Sequence, residues 1–516
     1  MAIFAKKHTT MDRIIKSALI SVYYKDNLDV IVKKLNSLGV TIYSTGGTLK
    51  FIKDLGIDAV AVETLTGFPE ILDGRVKTLH PTVFGGILAR RNEEKDLAQL
   101  AQHNIPTIDL VMVDLYPFEE TVAATTDVST IIEKIDIGGI SLIRATAKNY
   151  NDTLIISARE QYESLIALLE EKNGTTSIED RKRFAALAFG VSSHYDTQIF
   201  NYFNQTETNP AFKQSITTSK TLRYGENPHQ KGTFYGNLEA LFETLNGREL
   251  SYNNLVDVEA SLQLIAEFDE PTFAILKHTN ACGLASRAVL SEAYQAALAC
   301  DPTSAFGGVL ATNRKIDLAT AQKMHELFFE VVTAPEYDAD ALALLQQKKN
   351  RIILKLKTPL VQTKMFKSLL NGVLEQDLDK VTETSANFTL ATKKELTAEQ
   401  TEDLIFAIKA VKHLKSNGIT LVKNKQLVGM GCGQTSRVDA LQSAIKKAEG
   451  FGLDLKGSVM ASEAFFPFPD CVNIAHEAGV VAISQPGGSI KDQDSIDAAN
   501  ECDQAMVFTG TRHFKH

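Results

Sequence analysis

The chain contains no tryptophan and only five cysteines in 516 residues: Cys282, Cys300, Cys432, Cys471 and Cys502. They are odd in number, scattered, and never spaced Cys-x-x-Cys. That excludes a disulfide framework and a zinc ribbon, and leaves buried free thiols in a reducing cytoplasm as the expectation. No stretch approaches the roughly 18 apolar residues that a membrane span requires. Met1 to Asp12 is polar and mildly basic, without the apolar segment of a signal peptide, so residues 1–16 read as a frayed tail ahead of the first strand. Positive charge is also in short supply: 54 Lys and Arg stand against 63 Asp and Glu, a net charge of −9. Such a chain lacks the extended basic face needed to wrap nucleic acid, although local Lys and Arg can hold a phosphorylated small molecule.

What remains is an ordinary soluble composition, 44% hydrophobic and 23% charged, on a chain long enough for two to four domains. The first region alternates strands and helices. Ser17–Tyr23 and Val40–Ser44 read as strands, Leu28–Leu38 as a helix with one apolar stripe, and Ile108–Leu115 as a buried parallel strand. Arg159–Glu171 and Ile178–Phe203 have the length and spacing of helices. Asn204–Thr218 is polar and is the best linker. After it Thr272–Lys277 reads as a strand ending in a polar loop, Ser291–Cys300 as a helix and Gly308–Ala311 as a strand. Ile419–Lys423 and Gln426–Met430 flank the turn Asn424-Lys425 as a hairpin. Arg437–Ala448 is helical, and Val480–Ser484 and Met506–Thr509 are strands. The pattern predicts an α/β protein with a parallel sheet first and two α/β units of similar plan after the linker.

Several segments carry chemistry. Thr45-Gly46-Gly47-Thr48 joins a strand to a helix, where glycines admit a ligand and free N–H groups face a phosphate. Arg75-Val76-Lys77-Thr78 places two cations and a hydroxyl within four residues. Tyr116 follows the buried strand, at the edge where open parallel sheets bind ligands, and is either a site group or a packed aromatic. Asp136 precedes a helix carrying Ser141, Arg144 and Lys148; by itself it reads as a helix cap, while Arg144 and Lys148 share a face.

Beyond the linker, Leu222–Gln230 is dense in Arg, Tyr, Asn and His. Asn254 is either a helix cap or a ligand contact. Lys277 and His278 at a strand end stand open between a satisfied structural histidine and an acid–base pair, in which a nearby ammonium keeps the imidazole neutral. Further segments are Ser304–Gly308, Ser416–Gly418, Gly431–Arg437 and Phe465–Asp470. The C-terminal tail Thr509–His516, rich in cations and aromatics, is a candidate to complete a site.

Segments Ser44–Thr48, Arg75–Pro81, Asp114–Phe118 and Ile135–Asn149 together resemble the inosine monophosphate cyclohydrolase domain of the bifunctional purine-synthesis enzymes, a domain similar in fold to methylglyoxal synthase. The later segments resemble the aminoimidazole carboxamide ribonucleotide transformylase half of the same family, from about Ser17 to His516 in all. The resemblance implies residues 17–204 as a methylglyoxal-synthase-like domain and 205–516 as two cytidine-deaminase-like α/β subdomains. It implies a cytoplasmic homodimer with transformylase sites across the interface. It also implies 10-formyltetrahydrofolate as formyl donor, and the absence of any clustered Cys or His ligand set argues against a divalent metal.

Residue by residue, it implies Lys277 and His278 as the catalytic pair of formyl transfer, with Asn417 beside the reacting groups. Arg223, Tyr224, Asn254, Phe306, Gly307, Glu330, Phe465 and Arg512 would hold the nucleotide, with Lys349, Gln434, Asp470 and Phe514 nearby. Lys77, Tyr116, Asp136 and Lys148 would close the ring, and Ser21, Lys25, Thr45, Gly46, Gly47, Thr48, Arg75 and Thr78 would bind its nucleotide. The chain departs from the family at Tyr23 and Tyr24, where Ser and Asp are usual, so Tyr23 either replaces a contact or narrows the pocket. Glu330 stands where some relatives have Asp. A monovalent cation near Ser416 is a further family feature, although Leu414 and Gly418 lack hydroxyls here. Two other functions fit the sequence less well. A zinc deaminase needs His-x-Glu with Pro-Cys-x-x-Cys, and neither is present. A nucleotide-sensing module with dead sites would have lost the cationic and histidine positions, which are intact.

Overall fold

The computed structural model describes residues 12–72, 74–206 and 209–516. The chain divides into two compact units, Met1–Thr217 and Thr218–His516, with the break inside the polar stretch read as the linker. Most of the expected tail, Met1 to Met11, lies outside the described residues, but Arg13–Ile14 is a short strand paired antiparallel with Thr175–Thr176. Among the described residues no helix is long and apolar enough to cross a membrane.

The first unit is built on a five-stranded sheet. Its strand order is Val60–Ala61, Thr41–Ser44, Ser17–Ser21, Leu110–Val113 and Leu154–Ile156, all parallel. The chain enters at the central strand Ser17–Ser21, builds outward on one side, and returns to its other side with Leu110–Val113. Strand order therefore reverses between these two, and the crevice beyond their carboxyl ends is where such sheets bind ligands. Ala18, Leu19 and Ile20, and Leu110 to Met112, are fully buried, as continuous apolar runs in a doubly covered sheet should be. The helices Leu28–Ser37, Gly138–Lys148 and Ile178–Phe203 cover it, the last opened by a capping box from Ser177 and Asp180.

The second unit centres on one twelve-stranded mixed sheet. Its chain order repeats: an outer strand, a helix, an antiparallel hairpin, then three helix–strand steps. In the first repeat these are Phe242–Asn246, helix Tyr252–Ile265, hairpin Thr272–Lys277 and Asn280–Ser286, then strands Val309–Thr312, Val331–Ala334 and Ile352–Leu356. In the second they are Thr389–Leu390, helix Ala398–Lys412, hairpin Ile419–Lys423 and Gln426–Gly431, then Val459–Ser462, Ala482–Gln485 and Ala505–Phe508. Sheet order runs through the first repeat and back through the second, joined where Ala285 pairs with Gln426. The similar plan expected of the two regions is thus a repeated topology meeting at a seam.

One expected element differs. The polar loop after Lys277 is a two-residue turn straight into the strand Asn280–Ser286, with Lys277 opposite Asn280. Both central residues, His278 and Thr279, are left-handed, at φ 51° and 66°. Tight hairpin turns of this kind normally announce themselves with Asn-Gly or Asp-Gly, and His-Thr carries no such signal.

The two repeats also share a close helix–strand approach. A β-carbon on Gly283 would sit 2.2 Å from the Ala297 carbonyl oxygen, and one on Gly429 would sit 2.7 Å from that of Ala444. Overpacking of this kind typically costs about 1–3 kcal/mol. Gly283→Ala and Gly429→Ala should each lower the melting temperature measurably, Gly283→Ala by more, whereas Gly47→Ala, with open space around it, should not. Equal melting temperatures in all three would contradict the packing described.

Candidate active sites

In the first unit the carboxyl ends of the two central strands gather most of the expected groups. Ser21 Oγ and Thr45 Oγ1 are 3.0 Å apart, and Thr48 Oγ1 donates to the Val22 carbonyl at 2.9 Å. Gly46 opens the helix Gly46–Asp54 at φ 46°, a left-handed value that favours glycine. Gly46 and Gly47 are exposed at that helix start, so their N–H groups face solvent as an anion cradle. The Lys77 ammonium stands over it, 3.6 Å from where a Gly46 β-carbon would be, and also bonds Glu70 at 2.9 Å. Thr78 is buried, its Oγ1 3.3 Å from where a Gly138 β-carbon would be. Lys25 donates to the Val22 and Tyr23 carbonyls, and burial lowers its pKa. Arg75 pairs with Glu133 at the rim.

Asp136 is buried against the start of the helix Gly138–Lys148, accepting from the Gly139 N–H at 2.6 Å. Burial raises its pKa above the usual carboxylate range, Asp114 adds to this, and the Gly139 and Tyr116 N–H groups oppose it. Its own N–H bonds Tyr195 Oη at 2.9 Å. Asp136 is thus the helix cap the sequence suggested and a desolvated acid in the same crevice. Asp114 accepts from the N–H groups of Tyr23 and Tyr24 and folds their loop over the strand end. Tyr23, where the family usually has Ser, lies in this loop. Its ring packs edge-on against Tyr116 at 5.7 Å, and the Lys134 ammonium lies 5.5 Å from the Tyr23 centroid and 5.7 Å from the Tyr116 centroid. Tyr23 therefore narrows the crevice, and Lys134 is a cation at Tyr116 that sequence reasoning missed. Its only signal was a lysine two residues ahead of Asp136, because both aromatic partners come from other loops.

Lys148 is not brought to this group. It ends the helix whose start holds Asp136, and eleven residues of helix span about 16 Å. It is exposed at the opposite edge of the sheet. Spacing showed that it shares a face with Arg144 but not how far that face carries it.

In the second unit nearly every expected residue lies along one edge of the long sheet. Lys277 donates to the carbonyl oxygens of Phe306 and Gly307 at 2.8 and 3.1 Å. Phe306 packs on Phe328, and Gly307, at φ 68°, lets the chain pass under the ammonium. Asn254 is a capping residue for Ser251 and also donates to Glu330 at 2.9 Å, so both readings hold. Glu330 is also paired with Arg248 at 3.2 Å. Arg223 stacks over the Tyr224 ring, and their loop is tied to the same helix start by Asn253 donating to the Glu226 carbonyl. Lys349 is exposed, just before the strand Ile352–Leu356, on the same edge.

Asn417 belongs to the second repeat. Its amide donates to the Gln434 carbonyl at 3.0 Å and accepts from Arg437 at 3.0 Å. Arg437 in turn makes a buried ion pair with Glu463 at 2.9 Å. Asn280, the last residue of the hairpin turn, ties the repeats together: it donates to the His278 carbonyl and accepts from the Lys415 N–H, at 2.8 and 2.9 Å. Asn417 therefore stands two residues from a direct contact with the His278 turn.

Phe465 and Asp470 follow the strand Val459–Ser462, on the same edge but farther along. From the strand after Glu330 to that strand is six strand spacings, about 29 Å at ~4.8 Å each. Within one chain, the Glu330 and Phe465 groups do not line one nucleotide-sized pocket. The C-terminal tail is firmly docked. His513 is 3% exposed, between Asp379 at 2.6 Å and Glu383 at 2.8 Å. Lys515 exchanges hydrogen bonds with Ser416, and the Arg512 guanidinium lies 4.4 Å from the Phe514 centroid. Among the described residues no cluster of His, Cys, Asp or Glu has the form of a metal site.

The family model described as the AICARFT/IMPCHase bienzyme matches residues 146–447, and that of the MGS-like domain matches residues 27–141. A curated relative from Bacteroides thetaiotaomicron, the bifunctional purine biosynthesis protein PurH, is 58% identical over 97% of this chain and 99% of its own length. The protein of the same name from Persephonella marina is 47% identical over 97% of this chain and 100% of its own. The chain belongs to the AICARFT/IMPCHase bienzyme family, and its first unit carries the MGS-like domain.

Burial by itself lowers the His513 pKa, but the bonds to Glu383 and Asp379 outweigh it and the net shift is upward. A raised folded-state pKa means stabilisation that is full below the ordinary histidine value of about 6.5 and is lost as pH rises through the folded value. The melting-temperature gap between the natural chain and His513→Gln should be widest near pH 6 and shrink toward pH 9. A gap independent of pH would contradict this assignment.

Proposed function

We infer that the chain carries both family activities, one in each unit: formyl transfer to 5-aminoimidazole-4-carboxamide ribonucleotide in residues 218–516, then ring closure of the product to inosine monophosphate in the first unit. The carrying observation is the Lys277–His278 hairpin, with two non-glycine left-handed residues holding an exposed imidazole beside an anchored ammonium. Backbone held in sparsely populated regions clusters at functional sites. The formyl donor is 10-formyltetrahydrofolate.

The substrate amine is a poor nucleophile, because its lone pair feeds the ring and the carboxamide. As its nitrogen bonds the formyl carbon, His278 takes the amine proton. The carbonyl oxygen gains negative charge, which Lys277 and the Asn417 amide stabilise as donors. The carbon–nitrogen bond to the folate then breaks, and the folate nitrogen leaves with a proton. Arg223, Tyr224, Asn254, Phe306, Gly307, Glu330 and Lys349 hold the nucleotide from the first repeat.

In ring closure the carboxamide nitrogen attacks the new formyl carbon and water departs. The reaction is intramolecular, so orientation supplies much of its rate. Gly46, Gly47, Lys25, Arg75 and Lys77 face the phosphate, with Ser21, Thr45, Thr48 and Thr78 as hydroxyl partners. Tyr116 and Asp136 shuttle protons with Lys77, and burial suits Asp136 to hold one nearer neutral pH.

Two groups stand outside their sites within one chain: Lys148, and the pair Phe465 and Asp470, whereas Gln434 lies against Asn417 and the tail docks at Ser416. Both are assigned to sites completed by a second copy in a homodimer. The test measures each step separately on folded variants. A positioned base contributes on the order of 10²–10⁴ in rate, so His278→Ala should cut formyl transfer by that factor and spare ring closure of supplied formylated nucleotide. Asp136→Asn should do the reverse. Lys148→Ala mixed with Asp136→Asn should regain cyclisation that neither shows alone. Loss of both steps in His278→Ala would refute separate sites, and no regain on mixing would refute the shared one.

A further inference from the structure

His278 has no side-chain hydrogen bond among the described residues, so the backbone of its turn sets where the ring points. That turn is costly. Thr279, β-branched at φ 66°, is a genuine outlier, and such residues persist only when the surroundings over-determine them. The constraint comes from the helix Tyr252–Ile265. Its Asp257 carboxylate accepts the Thr279 N–H at 2.7 Å. Burial raises the Asp257 pKa, while the bond from Thr279 and the charges of His278 and Lys277 favour its ionised form.

The second repeat holds the same device. Asp403 accepts the N–H groups of Asn424 and Lys425 at 2.8 and 2.6 Å, and those residues are left-handed at φ 53° and 51°. Each aspartate is the sixth residue of its helix and stands 21 residues before the first turn residue. The second turn carries no reacting group: Lys425 is bound to Glu270 and Glu402. The two clamps share helix position and turn hand, Asp257 holding its turn at Thr279 and Asp403 at both residues, and they differ in what the turn presents.

Resting on the assignment of His278 as base, we propose that Asp257 is a positioning residue for formyl transfer: its carboxylate fixes the left-handed His278–Thr279 turn and so aims the imidazole and the Lys277 ammonium. Asp403 supplies the internal control, since it makes the same clamp on a turn that only joins strands.

The test uses the full chain and compares Asp257→Asn, Asp403→Asn and His278→Ala. Misplacement of a reacting group by about 1 Å can cost about 10²-fold, so Asp257→Asn should lower formyl-transfer kcat by about 10–100-fold with nucleotide KM changed by less than about 3-fold. Asp403→Asn should lose a similar amount of melting temperature and keep kcat within about 2-fold, since it touches no reacting group. If Asp257→Asn does not fold, Asp257→Glu keeps the charge on a stem one methylene longer. It should lower kcat similarly, again with nucleotide KM little changed. Turnover in the Asp257 variant matching that in Asp403→Asn, with His278→Ala inactive, would overturn the proposal. Near-normal turnover in His278→Ala would instead overturn the assignment beneath it.

Discussion

The grouping of Lys277, His278 and Asn417 depends on one seam. The two repeats of the second unit join where the strand Asn280–Ser286 lies against Gln426–Gly431, with Ala285 opposite Gln426. Side chains thicken this short ladder: Arg287 bonds the Asn424 and Lys425 carbonyls and the Gln426 side chain. At the other end of the same strands Asn280 bridges His278 and Lys415. Because the strands are antiparallel, the seam brings the hairpin turn of one repeat beside the Asn417 segment of the other. Neither repeat alone holds the imidazole, the ammonium and the amide.

Buried charge gathers around this arrangement. Arg437 and Glu463 pair beside Asn417. Glu267 receives Lys412, His413 and Thr382; burial alone would raise its pKa, yet these bonds bring it down to about 2. Such pairs contribute little net stability, but removing one partner strands the other and typically costs about 3–5 kcal/mol. Their effect here is geometric. The Arg437 guanidinium fixes the Asn417 amide, and the Glu267 cluster ties the end of the helix Tyr252–Ile265 to the helix Ala398–Lys412. The tail is drawn into the same region through Ser416, Lys515 and the His513 carboxylates.

Much of this was legible in the sequence, and the gaps have physical causes. Apolar runs marked the central strands of both units because those strands are buried on both faces. Long motifs marked Lys77, Asp136, Lys277 and His278 because they lie on contiguous turns. The hairpin at His278 was hidden because a left-handed pair usually needs glycine or asparagine, and here a distant carboxylate substitutes for that preference. Asp257 and Lys134 were hidden for a related reason: their partners lie on other elements, and no local spacing encodes such a contact. Spacing put Lys148 on one helix face with Arg144 but not at which end of the sheet it lies, since periodicity gives direction around an axis and not distance along it. The six strand spacings between Glu330 and the strand before Phe465 were unreadable until the sheet order was known.

One chain performs two consecutive reactions. The most direct measurement supplies the natural chain with 5-aminoimidazole-4-carboxamide ribonucleotide and 10-formyltetrahydrofolate and follows products by chromatography over time. Inosine monophosphate should accumulate in step with tetrahydrofolate, one molecule of each per nucleotide consumed. Tetrahydrofolate release with only the open-chain formylated nucleotide as product, or consumption of neither substrate, would contradict the claim.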